Sequence, residues 1–166
     1  MRKNSYEVIV SYVTGNQKAI YRLAYTYTKN QEDALDVVQN TIIKALESYE
    51  LLKNADAVKT WVYRIAVNES ISYMRKNRKD VLTDENFDLE AASVYEEKGY
   101  DMHDDLYDAI NMLPADVQTI IKLRYYEDME ISEIALIMKQ NINTVKAKLY
   151  RGLKALRQEI DEREEN

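Results

Sequence analysis

Three sets of residues have types and spacings that suit recognition chemistry. In the first, Thr144 to Arg157, Val145, Leu149, Leu153 and Leu156 share one side of a helical projection, while Lys146, Tyr150, Lys154 and Arg157 take the other, flanked by Ala147 and Arg151. This window holds five positive charges and no acid. Lysine and arginine neutralise phosphates and reach base edges, and a small Ala147 lets the backbone approach a groove. In the second, Trp61, Arg64, Asn68, Ser72 and Arg75 recur at three- and four-residue intervals and run into Arg75-Lys76-Asn77-Arg78-Lys79. A stacking ring, cations and an amide on one stripe suit unstacked single-stranded bases. In the third, Asp33, Asp36, Asn40, Ile43 and Glu47 share the outward side of a helix, and an apolar residue inside an acidic stripe suits a protein partner. Each set also has a plainer reading, as a solvated helix face.

No catalytic set is present. The single histidine, His103, lies in an acidic stretch with no second His or Cys for a metal site. There is no glycine-rich phosphate loop and no Ser/His/Asp set. The carboxylates between 80 and 108 have no pocket to tune them. We therefore expect a non-enzyme without cofactor or metal.

The elements that must hold these residues all read as helices. Only 3 glycines and 1 proline interrupt 166 residues, and 46% of the chain is hydrophobic. Helical spacing is clear over Gln17–Thr28. From Gln31 to about Ser48 it predicts burial of Leu35, Val38, Ile42, Ala45, Leu46 and Tyr49, with Asn30 as N-cap. A loop near Glu50–Ala57 precedes a long helix from Val58 to about Arg78, apolar on more than one side and hence central. Further on, helices are expected from Leu106 to Leu113, from Ala115 to about Tyr126 behind Pro114, over Ile131–Met138, and from Thr144 to about Glu159 after a turn at Lys139–Asn143. The last two are laid out as a helix-turn-helix, and no β pattern is present.

Charge divides the chain. Residues 1–79 carry net +5, residues 80–111 net −10 and residues 112–166 net −1, for −6 overall. The acidic run reads as a flexible linker over 80–105, between a unit at 1–79 and a second at 106–166. The fold class expected is all-α: two small helical domains joined by an acidic linker. The absence of cysteine fits a reducing compartment, no apolar run approaches a bilayer span, and the N-terminus shows no export signal.

In order along the chain, Asp33-Ala34-Leu35-Asp36-Val37-Val38-Gln39 with Ile42-Ile43-Lys44-Ala45 comes first, followed by Thr60-Trp61-Val62-Tyr63-Arg64-Ile65-Ala66-Val67-Asn68 with Arg75. Leu113-Pro114 with Leu123-Arg124-Tyr125-Tyr126-Glu127 comes next, and Glu133-Ile134-Ala135 with Thr144-Val145-Lys146 and Arg151 comes last. These blocks resemble those of the extracytoplasmic-function (ECF) sigma factors of bacteria, over nearly the whole chain. The resemblance implies a cytoplasmic alternative sigma factor, made of sigma-2 and sigma-4 helical domains, that directs core RNA polymerase to stress-response promoters. It implies that Asp33, Asp36, Gln39, Asn40 and Ile43 dock on the polymerase. Trp61, Arg64, Asn68, Arg75 and Lys76, with Lys53, Asn54 and Lys59 in and after the preceding loop, would open and read the minus-10 element. Asn143, Thr144, Lys146, Ala147, Lys148, Tyr150, Arg151 and Lys154 would read the minus-35 duplex. It further implies an anti-sigma partner, commonly membrane-anchored, with no membrane insertion by this chain. Three positions depart from the family's pattern. Lys139 stands where glycine is usual in the turn, Asn143 replaces the glycine before Thr144 and is expected to cap the helix, and Asn40 stands where an acid is common. The competing readings are a helix-turn-helix regulator binding duplex DNA alone as a dimer, and a helical adaptor indifferent to DNA.

Overall fold

The computed structural model describes residues 4–83 and 104–165. The greater part of the expected linker, and His103, lie outside the described residues. The chain divides into two compact units, Met1–Thr83 and Asp84–Asn166, and each is taken by itself. All regular structure among the described residues is helical, as the sequence predicts.

The first unit has four helices: α1 (Ser5–Gly15), α2 (Gln17–Thr28), α3 (Gln31–Glu47) and α4 (Val58–Thr83). Asn4 caps α1 by accepting from the Glu7 N–H at 2.8 Å, and Asn30 caps α3 by accepting from the Asp33 N–H at 2.8 Å. Lys29, with φ 58°, turns the chain out of α2 into α3. α4 packs on α1, α2 and α3, which makes it the centre of the unit. Its buried side is Val62, Tyr63, Ala66, Val67 and Ser70. Ser70 is tolerated there because its hydroxyl donates to the Ala66 carbonyl at 2.8 Å, as the buried Thr41 hydroxyl does to Val37 at 2.7 Å. Between α3 and α4 run two 3-10 turns, Tyr49–Leu51 and Ala55–Ala57. Leu52 between them is buried, and the Ser5 hydroxyl donates to its carbonyl at 2.7 Å.

The buried side of α3 differs from expectation. Leu35 is 51% exposed rather than buried, and Ile42, Leu46 and Tyr49 are half-buried. The buried set is Ala34, Val37, Val38, Thr41 and Ala45. α3 packs against α2 and α4 through small side chains, which bring the helix axes close. Its inward side is therefore turned by roughly 70° from the side marked by the largest apolar residues, at 100° per residue.

The second unit comprises α5 (Asp104–Asn111), α6 (Ala115–Tyr125), α7 (Ile131–Met138) and α8 (Ile142–Glu165). Pro114 is the N-cap of α6, one residue outside the first turn. The Gln118 amide donates to the Asn111 and Leu113 carbonyls at 3.1 and 2.8 Å, closing the corner between α5 and α6. Lys122 is fully buried and donates to Asn111 Oδ1 at 3.2 Å and Gln118 Oε1 at 3.3 Å. A buried cation needs such partners. α6, α7 and α5 all pack on α8, whose buried residues include Val145, Leu149, Gly152 and Leu156. α8 starts two residues earlier than the Thr144 expected from sequence, α5 starts at Asp104 rather than Leu106, and α4 runs on past Arg78.

Gly152 allows α8 to lie against α6: a Cβ there would stand 2.6 Å from Val117 Cγ1 and 2.9 Å from Ile121 Cδ1. Gly152→Val should lower the stability of the second unit by about 1–3 kcal/mol, the usual cost of overpacking. Gly15→Ala, where nothing lies within 4 Å of an added Cβ, should leave stability unchanged or raised. Denaturant unfolding followed by circular dichroism measures both.

Candidate nucleic-acid interface

Packing aims the α4 stripe outward. Trp61, Arg64, Asn68, Ser72 and Arg75 lie opposite its buried side. Asn68, Ser72, Arg75 and Lys76 are exposed, and Trp61 and Arg64 are half-buried. Glu69, the one acid between Lys59 and Lys79, is mostly buried and accepts from the Lys44 ammonium of α3. The stripe is left positive. Lys53 and Asn54 are exposed in the preceding segment, held there by the Leu52 anchor, and Lys59 is exposed in the first turn of α4. Asn54 Oδ1 accepts from the Asp56 N–H at 3.0 Å, so its carbonyl caps the second 3-10 turn.

The α8 surface is built by the turn before it. Lys139 ends α7 in the left-handed conformation, φ 53°, and the Gln140 N–H reaches back to the Ala135 carbonyl at 3.0 Å. A lysine in that conformation costs about 1 kcal/mol relative to glycine. The capping role expected of Asn143 falls to Asn141 instead, whose Oδ1 accepts from the Asn143 N–H at 2.7 Å. Asn143 and Thr144 then lie inside the first turn, both exposed. Lys146, Ala147, Tyr150, Arg151, Lys154 and Arg157 are exposed on the side away from Val145, Leu149 and Leu156. Lys148 departs from the group. It lies on the flank, and its ammonium donates to Asp116 of α6 at 2.7 Å. Sequence spacing could not reveal this contact, because the partner is 32 residues away. Past Arg157 the helix turns acidic, with Glu159, Asp161, Glu162, Glu164 and Glu165, and Arg163 pairs with Glu159 and Asp105 at 3.2 Å.

On α3, Asp36, Gln39, Asn40, Ile43 and Glu47 are exposed together. Asp33 is set apart. It is half-buried, and its carboxylate accepts from the Tyr73 hydroxyl of α4 and the Asn30 amide. Burial, with the Asp33 carboxylate beside it, holds the Tyr73 phenol well above the usual tyrosine range. Leu35, missing from the sequence-derived set, joins Ile43 as an exposed apolar residue, with Gln39 between them at four-residue spacing.

Among the described residues no group of His, Asp or Glu is placed to hold a metal ion, and no helix is long and apolar enough to cross a membrane.

Residues 12–80 match the Sigma-70 region 2 family and residues 103–156 the Sigma-70 region 4 family. The chain is 44% identical over 151 residues to the RNA polymerase sigma factor SigV of Bacillus subtilis (strain 168), covering 90% of this chain and 89% of that protein. It is 31% identical over 144 residues to the ECF RNA polymerase sigma-E factor of Haemophilus influenzae, covering 79% and 76%. The fold is shared with the sigma factor RpoE solved in complex with the anti-sigma factor NepR from Bartonella quintana, with TM-score 0.67, 22% identity and coverage of 91% and 95%. It is also shared with CnrH in complex with the cytosolic domain of CnrY, with TM-score 0.69, 18% identity and coverage of 92% and 87%. The chain therefore belongs to the sigma-70 class, and within it to the ECF RNA polymerase sigma factors.

The Lys148–Asp116 pair has a measurable signature. The Lys148 hydrogen bond holds the Asp116 carboxyl below its ordinary 3.8, outweighing a partial desolvation that acts the other way. Lys148→Met should move that titration, followed by carbon NMR of the carboxyl, back up towards 3.8. A depressed folded-state pKa stabilises above the unfolded value, and the contribution fades as pH falls through the folded value. The variant should therefore lose less stability than the parent on acidification from neutral pH.

Proposed function

We propose that this chain is an alternative sigma factor that directs core RNA polymerase to stress-response promoters and helps to melt their minus-10 element. The observation that carries the reading is the division of its outward faces: an acidic and apolar face on α3, a cationic and aromatic stripe on α4, and a cationic face on α8. Asp36, Gln39, Asn40 and Ile43, joined by Leu35, dock on the polymerase. Asp33 contributes by fixing the start of α3 against Tyr73. Trp61, Arg64, Asn68, Arg75 and Lys76, with Lys53, Asn54 and Lys59, engage the opened minus-10 strand, where a ring stacks and an amide reads a base edge. Asn143, Thr144, Lys146, Ala147, Tyr150, Arg151 and Lys154 face the minus-35 duplex, and Lys148 braces the helix behind them. The chain acts by binding rather than catalysis, in the cytoplasm where the polymerase works. An anti-sigma factor is the proposed negative regulator, by analogy with the sigma factor RpoE, which was solved bound to the anti-sigma factor NepR.

Run-off transcription with purified core polymerase over genomic fragments, with start sites mapped, tests the reading. Defined starts should require both proteins. Sequence-specific duplex binding by the chain alone as a dimer would overturn it. Asp36→Arg with Ile43→Ala should abolish association with core polymerase at unchanged helical content. On promoters so identified, Lys146→Ala or Arg151→Ala should cost about 1–3 kcal/mol at the preferred minus-35 element and less at a scrambled one. Lys154→Ala should weaken both alike and reduce the salt slope by about one unit.

A further inference from the structure

α2 presents a surface that none of the contacts above uses. Its buried side is Ile20, Leu23, Ala24, Thr26 and Tyr27. At 100° per residue, Lys18, Arg22 and Tyr25 fall on the opposite side, with Tyr21 beside them, and Lys29 extends the same line at the helix end. Lys18 and Arg22 are exposed, whereas Tyr21, Tyr25 and Lys29 are half-buried. The two rings lie one helical turn apart, centroids 6.0 Å apart and tilted by 33°. No acid occurs from Val8 to Gln31, where the chain's average density would place about four. α2 also packs directly on α4, so this surface and the proposed single-strand stripe belong to one packed unit.

We propose that the outward face of α2 is a second track for the unpaired strand of an opened promoter. Lys18, Arg22 and Lys29 meet phosphates, and Tyr21 and Tyr25 offer ring faces to bases. Cations interleaved with rings at helical spacing are the combination that holds single-stranded nucleic acid without reading its sequence. An acidic protein surface would use the cations and leave the rings idle. The absence of acid over 24 residues leaves α2 itself with no charge that repels a polyanion. The inference rests on the reading of α4 as a single-strand surface and adds a second, separate face of the same packed unit.

The test uses holoenzyme assembled with core polymerase. Two probes carry a promoter identified by run-off mapping: a fork-junction DNA with an unpaired extension, and the fully duplex fragment. One variant combines Lys18→Gln, Arg22→Gln and Lys29→Asn, the last because asparagine tolerates the left-handed backbone there. It should bind the fork probe at least tenfold more weakly, with a salt slope smaller by about two units, at roughly 0.7 for each phosphate no longer neutralised. Duplex binding and association with core should not change. Tyr21→Leu with Tyr25→Leu keeps apolar side chains in place of the rings, and should weaken fork binding about fivefold or more with the slope retained. Unchanged affinity and slope on the fork probe would overturn the proposal. So would an equal loss on both probes, or loss of core association, which would make the face a protein-docking surface. Asn68→Ala and Arg75→Ala measured on the same probes separate the two readings. If they weaken fork binding and the α2 variants do not, only the α2 proposal falls; if neither set acts, the α4 reading falls too.

Discussion

Burying Val62, Tyr63, Ala66, Val67 and Ser70 commits one side of α4 to neighbours on three other helices. A helix turns 100° per residue, so that commitment leaves Asn68, Ser72 and Arg75 no direction but outward. The outward stripe of the first unit is in this sense a by-product of its core. The same core fixes α3 from two sides, because Lys44 reaches Glu69 and Tyr73 reaches Asp33. The outward faces of α3 and α4 thus share one support, held by apolar packing and pinned by two polar contacts.

The second unit meets the same constraint with less material. Its long helix α8 must be close to α6 to be held, yet must leave its basic side free. Gly152 permits the close approach, and Lys148 gives up its place on the basic side to fix the helix against Asp116. Partly exposed pairs of this kind contribute modestly to stability, and this one also fixes the helix's orientation. The turn accepts Lys139 in a left-handed conformation because the Gln140–Ala135 hydrogen bond and the packing of Ile134 and Ile137 hold it there.

Helical periodicity made the all-α class legible from sequence, along with the order of the elements and most outward-facing residues. Ordered motif blocks named the family that the comparisons then showed. Where the reading failed, the cause lay in contacts between residues distant in sequence. Leu35 was placed in the core by its helical spacing with Val38, Ile42 and Leu46, but Ala34, Thr41 and Ala45 mark the buried side, because close helix contact selects small side chains. Lys148 and Asp33, placed among outward residues by sequence, each also make a contact with a residue more than thirty positions away, which spacing could not show. Asn143 was expected to cap a helix that begins two residues earlier, at Ile142, so the cap moved to Asn141. End positions of this kind are the least determined by periodicity.

α8 is one unbroken helix of 24 residues. Five cations fall between Thr144 and Arg157, and the residues beyond carry five acids against a single arginine. Their centres are about 16 Å apart along the axis, at 1.5 Å per residue. The rod is therefore an electric dipole with its positive end at the turn. In the field of a polyanion such a dipole feels a torque as well as a pull. The separation exceeds the roughly 8 Å screening length of physiological salt, so the two ends respond almost as independent charges. The acidic end is repelled while the basic end is drawn in, so a polyanion would be met turn-first. Such an orientation is set by the order of charges along a single helix.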